Sequence, residues 1–164
     1  LNHEHIFHFP FLEDNGLDLD QIQKGLQALS LEFKRNQQLT GAIKVLGNRY
    51  LQNGQTILHG DFYPGSWLTI DGNVKVIDPE FAYPGDKEFD LGVFLAHLDL
   101  AGFQPEEVNS LLSHYAHSFD FKLLQAYRGT ELLRRLIGIA QLPVNLSLSE
   151  KETLLHYASE LVLS

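Results

Sequence analysis

Asp71-Gly72-Asn73 joins two short apolar runs, Trp67–Ile70 and Val74–Ile77, and so marks a tight hairpin. A further short β run, Thr56–His59, precedes it. The other periodic segments of the 164-residue chain repeat their apolar residues at steps of three and four, the spacing of an amphipathic helix. Leu19, Ile22, Leu26, Leu29 and Phe33 form one stripe; Leu39, Ile43, Leu46 and Tyr50 form a second, which Asn53-Gly54 ends. After Pro84-Gly85, the residues Leu91, Phe94, Leu95 and Leu98 share a face. Helices are expected over 105–117, 121–141 and 149–162, with Pro105 in a first turn and Ser149 at a cap. Residues 1–18, with Phe7, Phe9 and Phe11, read as an extended segment packed on the body that follows. The fold class that results is α+β, mostly helical, with one small β element.

Composition narrows the class of function. With 44% hydrophobic and 20% charged residues the chain is globular rather than disordered. Twelve basic against 21 acidic residues give a net charge of −9, which argues against a nucleic-acid partner, because phosphate backbones are held by clustered Lys and Arg. A nucleotide is a different matter, since a metal ion bridges carboxylates to phosphates. The chain has no cysteine, so disulfides and thiolate metal sites are excluded. It has no apolar run of membrane-spanning length and does not open on a basic-then-apolar leader; a cytoplasmic protein without a membrane partner is expected.

The loops around the β element carry the chemistry. Asp61, in His59-Gly60-Asp61, follows the first short strand and lies in a Gly/Pro loop that continues through Pro64-Gly65-Ser66. A carboxylate so placed projects into a cleft and takes the proton of a hydroxyl, although Asp beside Gly is also a common turn former. Asp78 and Glu80, in Ile77-Asp78-Pro79-Glu80, end the second hairpin strand. Because side chains alternate along a strand, these two point the same way and can share one hard cation; a solvated strand end, with Pro79 as a terminator, is the plainer alternative. The hairpin returns this pair beside the Asp61 loop. Two patterns are set aside. His3-Glu4-His5 lacks a second His at the zinc-protease spacing, because Phe7 stands there. Ala42-Ile43-Lys44-Val45 imitates a kinase phosphate-binding strand but lies inside a helical stripe.

His59-Gly60-Asp61, Pro64-Gly65-Ser66, Ile77-Asp78-Pro79-Glu80 and Phe89-Asp90-Leu91-Gly92 together resemble the aminoglycoside phosphotransferase and choline kinase superfamily, small-molecule kinases with a protein-kinase-like fold. Ser66, the run from Ile77 to Ala82, and Arg134-Arg135 before Gly138-Ile139-Ala140 resemble the methylthioribose kinases within it. The resemblance covers about Asn2 to Ala140. It implies Asp61 as the catalytic residue that orients the acceptor hydroxyl, and Asp78 and Glu80 as ligands of magnesium that accompanies ATP. Ser66 stands where relatives carry a metal-binding Asn, and its hydroxyl is a weaker ligand. His59 and Asp90 are implied as structural braces of the catalytic loop, and Arg134 and Arg135 as contacts to the sugar. On the residues alone, Arg134-Arg135 would be a solvated helix surface, since neighbours on a helix point about a quarter turn or more apart.

The resemblance is to the C-terminal, large lobe of such a kinase. Residues 1–18 would follow the hinge, 19–53 form a helical pair, 56–80 the catalytic loop and metal hairpin, and 86–164 a helical subdomain. No Gly-x-Gly-x-x-Gly occurs in the chain, so the N-terminal lobe with its phosphate loop and strand lysine is expected to be missing. The expected function is ATP-dependent phosphoryl transfer to a small-molecule hydroxyl, weak or absent in this shortened form. A homo-oligomer is expected through apolar surface uncovered around residues 5–12 and the cleft. Aminoglycoside or choline acceptors, a non-catalytic kinase relic, and a metal-dependent hydrolase are the alternatives.

Overall fold

The computed structural model describes residues 2–142 and 144–164. Leu1 and Pro143, which fall in the expected 1–18 segment and the helical region 86–164, lie outside the described residues. The molecule is mostly helical with small antiparallel β ladders. Helices α1 (Asn2–Phe7), α2 (Leu26–Lys34) and α3 (Gln37–Tyr50) precede the β region. Strand β1 (Thr56–Leu58) pairs with β4 (Tyr83–Gly85), and β2 (Trp67–Ile70) pairs with β3 (Asn73–Val76). Helices α4 (Glu88–Leu100), α5 (Pro105–Ser113), α6 (Phe121–Ile137) and α7 (Leu148–Leu163) complete the chain. Among the described residues no helix is long and apolar enough to cross a membrane.

Helix α6 is the axis of the body. It packs between α4 and α7, and nearly every residue from Leu123 to Ile137 is buried. Its apolar side chains Leu132, Leu133, Leu136 and Ile137 join Leu39 and Ile43 of α3 and Leu155 of α7 in one core. A helix covered all round must pair the charges it buries, because an isolated buried ion is expensive. Arg128 accordingly donates to both oxygens of Asp99, at 2.7 and 2.5 Å. The helix starts are fixed by side-chain caps: Asn36 Oδ1 accepts from Leu39 N, and Asp120 Oδ1 accepts from Leu123 N.

Five local expectations change. Residues 2–7 are helical rather than extended, with Phe9–Phe11 a short 3₁₀ turn. Ile6, Phe7 and Phe11 are buried in the core, so the apolar surface expected around residues 5–12 is reduced to Leu12, which is exposed, and the half-buried Phe9. More of it lies on the hairpin, where Leu68, Ile70, Val74 and Val76 are all about half exposed or more, as is Ile57 on β1. The stripe beginning at Leu19 is not one helix. Gly25 takes φ 91°, a left-handed conformation that L side chains resist, and this separates a 3₁₀ turn at Leu19–Gln21 from α2. Helix α7 is capped by Ser147, not Ser149: Ser147 Oγ accepts from Glu150 N while Glu150 Oε2 accepts from Ser147 N. Helices α5 and α6 end at Ser113 and Ile137, short of 117 and 141.

Candidate active site

The loop after β1 is held from both sides. Gly60 has φ 85°, and a Cβ there would meet Phe81 O at 2.2 Å, so only glycine fits where the loop crosses the 77–81 segment. Asp90, in the first turn of α4, accepts from His59 N at 2.7 Å and from Gly60 N at 3.1 Å. Burial pushes the Asp90 carboxyl above its ordinary range, and the two amide donors partly offset that. The His59 ring ties the loop to the other segment. Its Nε2 lies 2.8 Å from Ile77 O, a group that only accepts, so Nε2 carries the proton and Nδ1 accepts from Asp61 N at 3.4 Å. Ser66, buried, donates its hydroxyl to Asp61 O at 3.0 Å, and Ile77 N donates to Ser66 O at 2.9 Å.

Asp61 emerges from this frame against the last turn of α6. Its Oδ1 accepts from Arg135 Nη2 at 3.1 Å and from Arg134 Nη2 at 3.5 Å. Among the described residues its Oδ2 accepts no hydrogen bond. Behind the arginines sits Glu131, one turn earlier on α6 and 1% exposed. Glu131 accepts from Arg134 Nε, from Arg134 Nη2 at 3.1 Å and from Arg135 Nε at 2.7 Å. His97 Nε2 of α4 donates to Glu131 Oε1 at 3.3 Å. Burial alone would raise the Glu131 carboxyl; the charge of Arg134, the His97 hydrogen bond and the charge of Arg135 outweigh it and hold that carboxyl below its ordinary range. The Arg135 guanidinium also lies 4.9 Å from the centre of the Tyr63 ring.

Asp61, Arg134 and Arg135 open on one concavity of about 340 Å³, closed by Asn2, His5, Phe81, Ile139 and Ala140. It offers a carboxylate oxygen beside guanidinium donors. The adjacent arginines do reach one cleft, because side chains of that length make up the angle between their Cα atoms.

The sequence profile of the phosphotransferase enzyme family matches residues 8–133, most of the chain. The chain belongs to this family. Among its relatives, a methylthioribose kinase of Exiguobacterium sibiricum is 35% identical over 98 residues, 60% of this chain and 24% of that protein. One of Geobacillus sp. is 34% identical over 119 residues, covering 70% of this chain and 28% of the relative. One of Bacillus velezensis is 27% identical over 166 residues, covering 82% and 41%. The chain spans less than half the length of the curated relatives it matches.

Within this family member the carboxylates read from the sequence fall in two settings. Asp61 is held by arginines in the pocket. Asp78 and Glu80 are exposed, and neither makes a hydrogen bond or ion pair among the described residues. The strand alternation expected to align them does not apply: β3 ends at Val76, Asp78 has φ 64°, and Ala82 N donates to Pro79 O in a turn. Among the described residues no three acidic or histidine side chains form a ready metal cage. Glu131, His97 and Tyr63 were missed by sequence reasoning. The signal for Glu131 was present: a carboxylate three and four residues before two arginines on a helix is placed to meet both.

Proposed function

We propose that the chain is the large lobe of a small-molecule kinase of the methylthioribose kinase type, transferring the terminal phosphoryl group of ATP to a substrate hydroxyl. The observation that carries this reading is the Asp61 carboxylate, which lines the pocket with one oxygen held by Arg135 and the other without a hydrogen bond among the described residues. An acceptor hydroxyl would donate to Asp61 Oδ2. As the hydroxyl oxygen bonds to the terminal phosphorus, the bond from phosphorus to the bridging oxygen breaks, ADP leaves, and the hydroxyl proton passes to Asp61. Arg134 and Arg135 would donate to neighbouring substrate hydroxyls, fixing which one faces the carboxylate. Asn2 Nδ2, 3.5 Å from Gly60 O, ties α1 to the same loop.

Magnesium fits the residues present. It keeps several waters and needs one or two carboxylates together with the nucleotide's phosphates, so Asp78 and Glu80, both unpartnered and exposed, would suffice. Bound there, it would neutralise phosphate charge. Ser66 keeps a lone pair for a metal, but its burial and its bond to Asp61 O favour a role in shaping the loop.

A second reading, a non-catalytic binding module, is favoured by one observation: Asp78 and Glu80 are not aligned on one strand face, since β3 ends at Val76 and Asp78 takes φ 64°. Incubation with magnesium-ATP and methylthioribose, choline or an aminoglycoside, followed by ³¹P NMR, separates the two. The kinase reading expects slow ester formation on the thio-sugar, lowered about a hundredfold or more in Asp61→Asn. No ester on any acceptor supports the second reading, and equal rates in the variant would overturn the role of Asp61. Magnesium and ATP titrated against the fluorescence of Trp67, which packs on Phe62 and Phe94, would report nucleotide binding in either case.

A further inference from the structure

Two adjacent guanidinium groups on a pocket wall would, by themselves, make a site for an anion such as a phosphate ester or carboxylate. The arrangement around them cancels that. Glu131 takes both Nε groups and one Nη2, and Asp61 Oδ1 takes an Nη2 from each arginine. The two guanidinium and two carboxylate groups in mutual contact carry no net charge. Glu131 does not line the pocket; it lies behind Arg134 and Arg135, buried, where its charge is poorly screened. For a ligand this leaves one carboxylate oxygen, Asp61 Oδ2, and a few guanidinium N–H groups, foremost Arg134 Nη1, which has no acceptor among the described residues. An acceptor beside a donor matches neighbouring hydroxyls and repels a second negative charge.

We propose that Glu131 determines the charge class of the acceptor, neutralising the Arg134–Arg135 pair so that the pocket takes an uncharged polyol and rejects its phosphorylated or carboxylated counterpart. This rests on the reading of the Asp61 pocket as the acceptor site. Glu131 is a positioning and specificity residue: it acts through the arginines and touches no substrate. His97 supports it by holding Oε1 from the far side.

The test compares ribose with ribose 5-phosphate by ligand-observed NMR on the 164-residue chain, needing no turnover. The unaltered chain is expected to bind ribose in preference to the ester. Glu131→Gln keeps the shape and removes the charge; it is expected to shift the preference towards the ester by about tenfold or more. Glu131→Asp keeps the charge but not the reach; it is expected to weaken binding while still preferring ribose. A purely structural role would weaken both ligands alike in both variants. An unchanged preference in Glu131→Gln overturns the role of Glu131 while leaving the acceptor site standing. An unaltered chain that binds neither sugar overturns the acceptor reading and this assignment with it. If Glu131→Gln does not fold, the unaltered chain decides: equal or tighter binding of the ester shows that the arginines are not neutralised.

Discussion

Arg135 Nη2 donates to Asp61 Oδ1 at 3.1 Å, joining the last turn of α6 to a loop 74 residues earlier in the chain. The contact fixes one carboxylate oxygen and leaves the other available. Arg135→Met would leave Glu131 and Asp61 to share a single guanidinium. Removing one partner from a buried ion cluster costs about 3–5 kcal/mol, and urea denaturation should show a loss of that order. A change below about 1 kcal/mol would mean that the cluster contributes little to folding.

Acid should act on the same cluster. The folded-state Glu131 carboxyl is held below its ordinary value of 4.5, so the stability it contributes is fully present above that value and is lost as pH falls towards the folded-state value. The gap in thermal midpoint between the wild type and Glu131→Gln is therefore expected to be constant from pH 7 to about 5 and to narrow below about 4.5. A gap that widens with acid would reverse the assignment.

Asp90 sets the loop that presents Asp61. In Asp90→Ala the amides of His59 and Gly60 lose their acceptor, at a cost of about 1–3 kcal/mol for each buried donor left unpaired. Hydrogen exchange at these two amides should accelerate more than at the α6 amides. Uniform acceleration across the chain would point to global destabilisation instead.

Gly60→Ala would put a Cβ 2.2 Å from Phe81 O on a backbone at φ 85°. The crossing of the 59–61 and 77–81 segments must open, and the variant should lose stability by more than the roughly 1 kcal/mol typical of a glycine substitution. A chemical-denaturation midpoint equal to that of the wild type would show that the crossing is loose.

Lys34 is buried at the end of α2, and its Nζ has no hydrogen-bond partner among the described residues. Burial pushes its ammonium below the ordinary 10.5. Because the unfolded chain holds that proton more tightly, the penalty is full below the folded-state value and fades as pH rises towards 10.5. Lys34→Met should stabilise the protein at pH 7 by about 1 kcal/mol or more, with the advantage shrinking as pH rises towards 10.5. Thermal melts across that range check both the sign and the trend.

Helix and hairpin positions were largely legible because apolar period and turn chemistry are local. Asp71 and Gly72, both at positive φ, make the turn that their identities demand, and Pro105 opens α5 as a first-turn residue should. The stripe from Leu19 to Phe33 misled because a period of three and four does not register a left-handed glycine within it. The aromatics of residues 2–11 misled for another reason. Ile6 and Phe7 are one short helical face, too brief for periodicity to reveal, and tertiary burial in the core stabilises it.

The order of residues alone determined which groups are available: a loop carboxylate after a short strand, two more past a hairpin, and paired arginines at a helix end. It could not decide how they meet. A helix surface and a loop remote in sequence come together only when α6 is buried between α4 and α7, which carries Arg134 and Arg135 to Asp61 and forces Glu131 into the protein behind them. Local rules fix the direction of a side chain relative to its own element. The partner it finds, and the charge that partner leaves uncancelled, depend on packing that no short window of sequence contains.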